Sequence, residues 1–353
     1  MTLRSLSNNT NRLVSLSLPL IGILLIVLSA RLFIPSSSPD NIMIRNSTNS
    51  LKSLASKARS RMYSTVEKGT ASSGDYRLFF KNSDGKIVSP FHDIPLVAGT
   101  QENGHRLYNM VVEIPRWTQA KMEIATKEPM NPIKQDVKKG KLRYVHNCFP
   151  YHGYIWNYGA LPQTWENPSF QDPHTNAKGD NDPIDVCEIG SLTLRRGQVV
   201  PVKVLGVMAL IDDGETDWKL IVIKADDPLA GKLNDIDDVE QHMPGLMKAT
   251  HDWFKIYKIP DGKPPNTFAF NGQAKNAEFA RKIIDETHAQ WKELMKNSKH
   301  ELSLDNTSVD HSAAKMTPAA AEDVLLKQAA FCQGKGLSEE ERDELAKVHY
   351  VRV

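Results

Sequence analysis

Cysteine is scarce in this chain: its 353 residues include three, Cys148, Cys187 and Cys332. None are paired in Cys-x-x-Cys spacing, which argues against a zinc knuckle and a disulfide framework. The expectation is buried free thiols in a reducing compartment. An excess of one charge is lacking too. Lys and Arg total 44 against 42 Asp and Glu, a formal net charge of +2. Bulk charge therefore excludes a strongly basic nucleic-acid binder. Internal repeats and long low-complexity tracts are absent. What is present, 40% hydrophobic and 24% charged residues, is the composition of a globular protein. The length allows one large domain or two ordinary ones.

Acid is nearly missing from the first part of the chain, where Asp40 is the one acidic residue before Glu67. Residues 13–30 form an uncharged, mostly apolar run whose length just reaches that of a membrane span. Residues 47–64 are rich in Arg, Lys and Ser and end in Arg61-Met62-Tyr63-Ser64, which resembles a matrix-processing site. Three readings of residues 1–62 stay open: a membrane anchor, a mitochondrial presequence, or a stretch skipped by a start at Met62. In an anchor, the basic residues after the run (Arg31, Arg45, Lys52, Lys57, Arg59, Arg61) leave the following domain in the cytoplasm. Cytoplasm is the expectation for the catalytic domain, with mitochondrial or membrane-anchored placement through residues 1–62 as the alternative.

Residues 63–300 read as one domain dense in short strands. Met110–Ile114, Lys121–Ile124, Val199–Ile211 and Trp218–Lys224 are β-branched or alternating. Two helices are legible, Leu246–Lys258 and one near Ala274–Lys296, the second with Phe279, Ile283, Ile284, Trp291, Leu294 and Met295 on its core face. Residues 301–353 read as a separate, variable tail. Within it Thr317-Pro318 suits a helix start, and Ser338 with Glu341 suits a capping box.

The sharpest chemical signal is Gly179-Asp180-Asn181-Asp182-Pro183-Ile184-Asp185-Val186. Three carboxylates in six residues repel one another unless a cation sits among them. The loop fails as an EF-hand, with Asp185 where that loop needs Gly and Ser191 where it needs Glu. A second acidic group, Asp212 to Asp217, reads as a β-hairpin bringing Asp212 and Asp217 to facing strand ends. Asp217 and Lys219 are two apart on a strand and share a face, as do Lys121 and Glu123. One such pair is an ordinary surface ion pair; two beside a triple-Asp loop carry more. Arg143, the aromatic stretch from Phe149 to Tyr158, and Tyr257-Lys258 supply donors. Carboxylates with Lys, Arg and Tyr suit a small polyanion delivered with divalent cations, since magnesium prefers carboxylate oxygens and two ions clamp a phosphoryl group.

At these residues, from about Tyr76 to Met295, the chain resembles the soluble inorganic pyrophosphatases of the eukaryotic type. Asp180-Asn-Asp182-Pro-Ile-Asp185-Val matches that family's signature, and the runs from Asn109 to Lys121 and Gly214 to Lys219 extend the likeness. The resemblance implies a mainly β fold with helices, a five-stranded closed barrel of the oligonucleotide-binding (OB) type. It also implies a homodimer and several Mg2+ ions per site. The metal positions it carries over are Asp180, Asp185, Asp217, Asp182, Asp212, Glu123 and Glu113. Asp182 is implied as general base and Tyr154 as a candidate proton donor, with metal-bound water as the alternative donor, and Arg143, Lys121, Tyr158, Lys219, Tyr257 and Lys258 on the substrate. The implied reaction is hydrolysis of pyrophosphate to two phosphates by a metal-activated water.

The likeness stops at both ends. Nothing before Met62 belongs to the usual domain, and the tail finishes His349-Tyr350-Val351-Arg352-Val353 without the Trp-containing ending of eukaryotic members. A nucleic-acid-binding barrel is the rival from another class, but it needs a basic groove with stacking aromatics. Acids dominate here, so no nucleic acid is expected at the site; membrane contact is expected only through residues 13–30.

Overall fold

The computed structural model describes residues 63–101, 104–297 and 300–352. The apolar run at 13–30 and the basic stretch up to Met62 lie outside them. Among the described residues no helix is long and apolar enough to cross a membrane.

Five strands frame the molecule: β1 (Arg106–Ile114), β2 (Asn157–Ala160), β3 (Asp185–Glu188), β4 (Val199–Asp212) and β5 (Glu215–Lys224). Their pairings form a cycle. β1 pairs with β4, β4 with β5, β5 with β3, β3 with β2, and β2 with β1. All are antiparallel except β3 with β5. The strands read as near-continuous apolar runs because both faces are covered. On β5, Trp218, Leu220 and Val222 enter one apolar cluster, and Ile221 and Ile223 the other. Asp217 and Lys219 share the parity of Ile221 and Ile223, so the polar end of that face opens where its apolar packing stops. Gly159 on β2 sits at a register shift, where a Cβ would lie 2.0 Å from the Val111 carbonyl oxygen.

The β4–β5 hairpin is tighter than its sequence suggests. β5 begins at Glu215, three residues before Trp218, and the turn is Asp213-Gly214 with φ of 52° and 93°. Two successive positive φ values fit the primed turns that match strand twist, and Asp-Gly is a preferred pair for them. Asp212 therefore faces Glu215, and Asp217 faces Leu210. Asp212 and Asp217 are diagonal neighbours on one face, where directly facing strand ends were expected.

Helix α1 (Ile236–His242) was not legible in the sequence: it has only Ile236 and Val239 to bury, too few for a period. α2 (Leu246–Ile256) and α3 (Ala277–Leu294) follow the expected stretches with trimmed ends. On α3, Ile283, Ile284, Trp291 and Leu294 are buried, and Phe279 is half-buried against His174 and Trp218.

A second sheet orders Ser64–Lys68, Arg77–Lys81, Ile133–Gln135 and Met122–Ile124 side by side. Residues beyond 300 pack onto this body. α4 (Pro318–Leu326) is capped by Thr317 and buries Ala321 and Leu325 with Phe79, Ile87 and Met130. α5 (Glu339–Ala346) starts with the Ser338–Glu341 capping box. Val348–His349 then pairs with Asn147–Cys148. Cys148 and Cys187 are buried free thiols as expected; Cys332 is free but exposed, because it lies on a surface strand contact with Thr70.

Candidate active site

Fourteen side chains singled out in the sequence line a single cleft of about 130 Å³. They are Glu113, Lys121, Glu123, Arg143, Tyr154, Tyr158, Asp180, Asp182, Asp185, Asp212, Asp217, Lys219, Tyr257 and Lys258. The fold brings them together from distant positions. Glu113 comes from the end of β1, Tyr158 from β2, Asp185 from β3, Asp212 from β4, and Asp217 and Lys219 from β5. Tyr257 and Lys258 follow α2, placed by Trp253 and Phe254, which are buried beneath them. Asp180 and Asp182 come from the loop before β3.

The cations are not free. Lys219, 2% exposed, is paired with both Asp185 and Asp217 and donates to the Tyr158 hydroxyl at 3.0 Å. That hydroxyl in turn donates to Asp185. The β3–β5 register dictates this, because Asp185 lies directly opposite Lys219. Burial alone would lower the Lys219 pKa, but Asp185 and Asp217 outweigh it and raise it. Lys258 is paired with Asp212, which also accepts from the Tyr257 hydroxyl at 2.9 Å. Lys121 reaches Glu123 at 2.7 Å, so this same-face pair does form.

The carboxylates are crowded. Burial, partly offset by Lys219 and then compounded by Asp185, pushes Asp217 up to about 7. Burial and the charge of Asp217 raise Asp180 well above the usual range. Glu113 is raised by burial and then by Asp185, although one of its oxygens accepts from the Ile124 amide at 2.7 Å. Asp182 is exposed at the mouth, its amide bound to the Asp180 carboxylate at 3.0 Å.

Two neighbours escaped the sequence reading. Asp136 receives Arg143 at 3.0 Å and Lys121 at 3.5 Å, tying together two cations from different segments. Its signal is only that it lies seven residues before Arg143. Glu166 stands behind the cleft with one carboxylate oxygen within 4.8 Å of Asp180 and Asp217. One of its oxygens accepts from the Trp218 amide at 3.0 Å; the other is buried with no hydrogen-bond partner. Leaving a buried carboxylate oxygen unsatisfied is costly. Burial and Asp180 raise its pKa. An orphaned oxygen beside two crowded aspartates is what a divalent cation would relieve, so the donor set fits an oxygen-seeking metal. Glu166 follows Trp165 with its next acid, Asp172, six residues on, and no spacing marks it.

Comparisons with known proteins agree with this geometry. The profile described as inorganic pyrophosphatase matches residues 110–292. The chain is 56% identical to an inorganic pyrophosphatase of Drosophila melanogaster over 293 residues, 83% of this chain and 85% of that one. The structure of the inorganic pyrophosphatase from Schistosoma japonicum superposes with a TM-score of 0.76 at 49% identity, covering 82% of this chain and 100% of that one. A Trypanosoma cruzi vacuolar soluble pyrophosphatase, truncated at its N-terminal domain and solved in complex with PPi, gives a TM-score of 0.62 at 45% identity, over 67% and 92% of the two chains. A mainly β fold with helices, this cleft and relatives at this identity place the chain in the inorganic pyrophosphatase family, hydrolases of the diphosphate bond.

Proposed function

We propose that the cleft hydrolyses pyrophosphate with magnesium as its metal, and that its fourteen side chains divide the work. The observation that carries this is their convergence: seven carboxylates and seven Lys, Arg or Tyr donors share one cleft. Asp180, Asp185 and Asp217 would hold one ion, with Asp182 bridging to a second and Asp212, Glu123 and Glu113 serving further ions. Bound magnesium supplies positive charge against phosphate oxygens and makes a water more acidic. Asp182, exposed at the mouth, takes a proton from the attacking water as general base. Arg143 and Lys121 grip the substrate. Lys219 and Lys258, now paired with aspartates, turn to phosphate oxygens with Tyr158 and Tyr257 once those carboxylates are otherwise neutralised. Tyr154, which lines the same cleft, would donate a proton to the leaving phosphate, with metal-bound water as the alternative donor. Catalysis is then mainly positioning and charge neutralisation.

The finer fold reading is a closed, OB-type barrel, supported by the cycle of strand pairings β1–β4–β5–β3–β2. Residues 63–300 are read as the catalytic domain, dimeric and cytoplasmic, with residues 1–62 as a targeting or membrane-anchor extension that could instead place it in mitochondria or at a membrane, and 301–353 as a variable tail. The test is phosphate release from pyrophosphate by the pure chain, with magnesium and then with EDTA. Release with magnesium that EDTA abolishes supports the reading; equal release in both sinks the metal assignment, and none in either sinks the substrate.

A further inference from the structure

The loop that carries Asp180 and Asp182 turns through Asn181, whose φ of 75° lies in the left-handed region that Asn tolerates better than most residues. Both ends of the Asn181 side-chain amide are held. Its oxygen accepts from the Trp165 indole N–H at 3.0 Å. Its nitrogen donates to a Glu301 carboxylate oxygen at 2.7 Å. The backbone is fixed as well: the Asn181 amide donates to the Glu166 carbonyl, and the Glu166 amide to the Asp182 carbonyl, each at 2.9 Å.

Glu301 belongs to a segment that is itself well anchored. Leu302 and Leu304 are buried in the main core. The Ser303 amide donates to the Thr126 carbonyl, and the Ser303 carbonyl accepts from His92 and Asn131. Thr307 and Ser308 donate to Asp93. His300 sets its ring against Trp165 at 5.6 Å, edge to face, and the other Glu301 oxygen meets Lys127 at 3.4 Å. A chain segment about 120 residues away thus reaches the turn between two cleft carboxylates.

We propose that the segment from His300 to Ser308 positions the metal loop, with Glu301 as a positioning residue that acts through Asn181. The side-chain amide, clamped between Trp165 and Glu301, holds the left-handed turn that presents Asp180 and Asp182 to the cleft. This rests on the reading of those two aspartates as metal carboxylates.

The test uses the full chain and magnesium alone, by titration calorimetry without pyrophosphate. Thermal unfolding of the metal-free protein is followed alongside. Glu301→Ala is expected to weaken the tightest magnesium site about threefold, the scale of one exposed hydrogen bond. Glu301→Gln keeps an acceptor for the Asn181 amide and restores binding close to that of the unaltered chain. Asn181→Gly keeps the left-handed turn without the amide; it weakens magnesium at least as much, and adding Glu301→Ala to it brings no further loss. If Glu301→Ala fails to fold, the Asn181→Gly measurement decides alone. Unchanged magnesium affinity in Glu301→Ala, a glutamine variant as weak as the alanine one, or additive losses in the double variant would overturn the clamp. An unaltered chain that binds no magnesium would instead overturn the metal reading beneath it.

Discussion

Two buried polar networks in this molecule use the same residue types to opposite ends. At the cleft, Glu166 behind it keeps an oxygen without a partner, Asp180 is raised by burial and the charge of Asp217, Asp217 by burial and the charge of Asp185, and lysines stand in as counterions. At the seam between residues 89–93 and the segment after 300, demand is met. Asp93 accepts from the amides of Ser89, Thr307 and Ser308 and from the hydroxyls of Thr307 and Ser308. His92 accepts from the Trp291 indole and pairs with the Ser303 carbonyl. The seam is complete by itself and the cleft is not. A satisfied network stabilises, whereas a network short of positive charge is poised to take up cations.

The largest effect that would break this contrast lies in the cleft. Asp182→Asn should cut phosphate release by about a hundredfold or more, as loss of a general base does. Asp182 is exposed, and Asn removes a like charge from among its neighbours, so the thermal midpoint should hold or rise. Near-normal turnover by a pure preparation would remove Asp182 from the chemistry. The matching change at the seam is Asp93→Ala, which strands three amides at once. It should cost on the order of 4 kcal/mol of stability. Turnover of the surviving folded protein at saturating magnesium should stay within about threefold of the original, as for a residue that touches no substrate. Denaturant titration with an activity assay separates the two, and a catalytic collapse without loss of stability at Asp93 would erase the distinction.

How far the sequence anticipated these two regions follows from how each encodes its residues. Much of the cleft was legible because its carboxylates cluster within short distances of chain, at 180–185 and 212–217, and because period-two spacing put Asp217 with Lys219 and Lys121 with Glu123; Glu113 and the roles of the individual residues came only with the family resemblance. Glu166 and Asp136 were not legible, being isolated acids whose roles depend on what folds against them. The long strands β4 and β5 were plain from their apolar runs, whereas the two-residue strands and α1 bury too little to leave a pattern. The seam was wholly invisible: His92 and Asp93 meet partners more than 190 residues away, and only the folded chain brings them together.

His92 sharpens the contrast through pH. Burial pushes its pKa down to about 4, outweighing the Ser303 carbonyl and Asp93, which act to raise it. Its Nδ1 accepts from the Trp291 indole, so the single ring proton sits on Nε2 and a second has no acceptor. In the unfolded chain the ring titrates near 6.5. The unfolded state then binds more protons in between, so this contribution is intact above pH 6.5 and is lost as pH falls towards 4. The loss should reach roughly 3 kcal/mol. Thermal unfolding from pH 7.5 to 4.5 should show a steeper decline in the unaltered chain than in His92→Gln; parallel profiles would mean the ring is not the acid-sensitive part of the seam.

The smallest effect tests the basic side of the cleft. Arg143→Lys keeps a positive charge but loses the planar fork, which can grip two phosphate oxygens while one N–H stays on Asp136. Pyrophosphate hydrolysis measured as kcat/KM should fall about tenfold, the cost of replacing a bidentate contact by a point charge. Stability should change by less than about 1 kcal/mol. The backbone hydrogen bonds of Arg143, from Lys121 to its carbonyl and from its amide to the Asp136 carbonyl, do not depend on the side chain. If stability falls by several kcal/mol while kcat/KM of the folded fraction holds, the Arg143–Asp136 pair belongs with the seam as a structural contact, and the substrate must be gripped by Lys121, Lys219 and Lys258 without it.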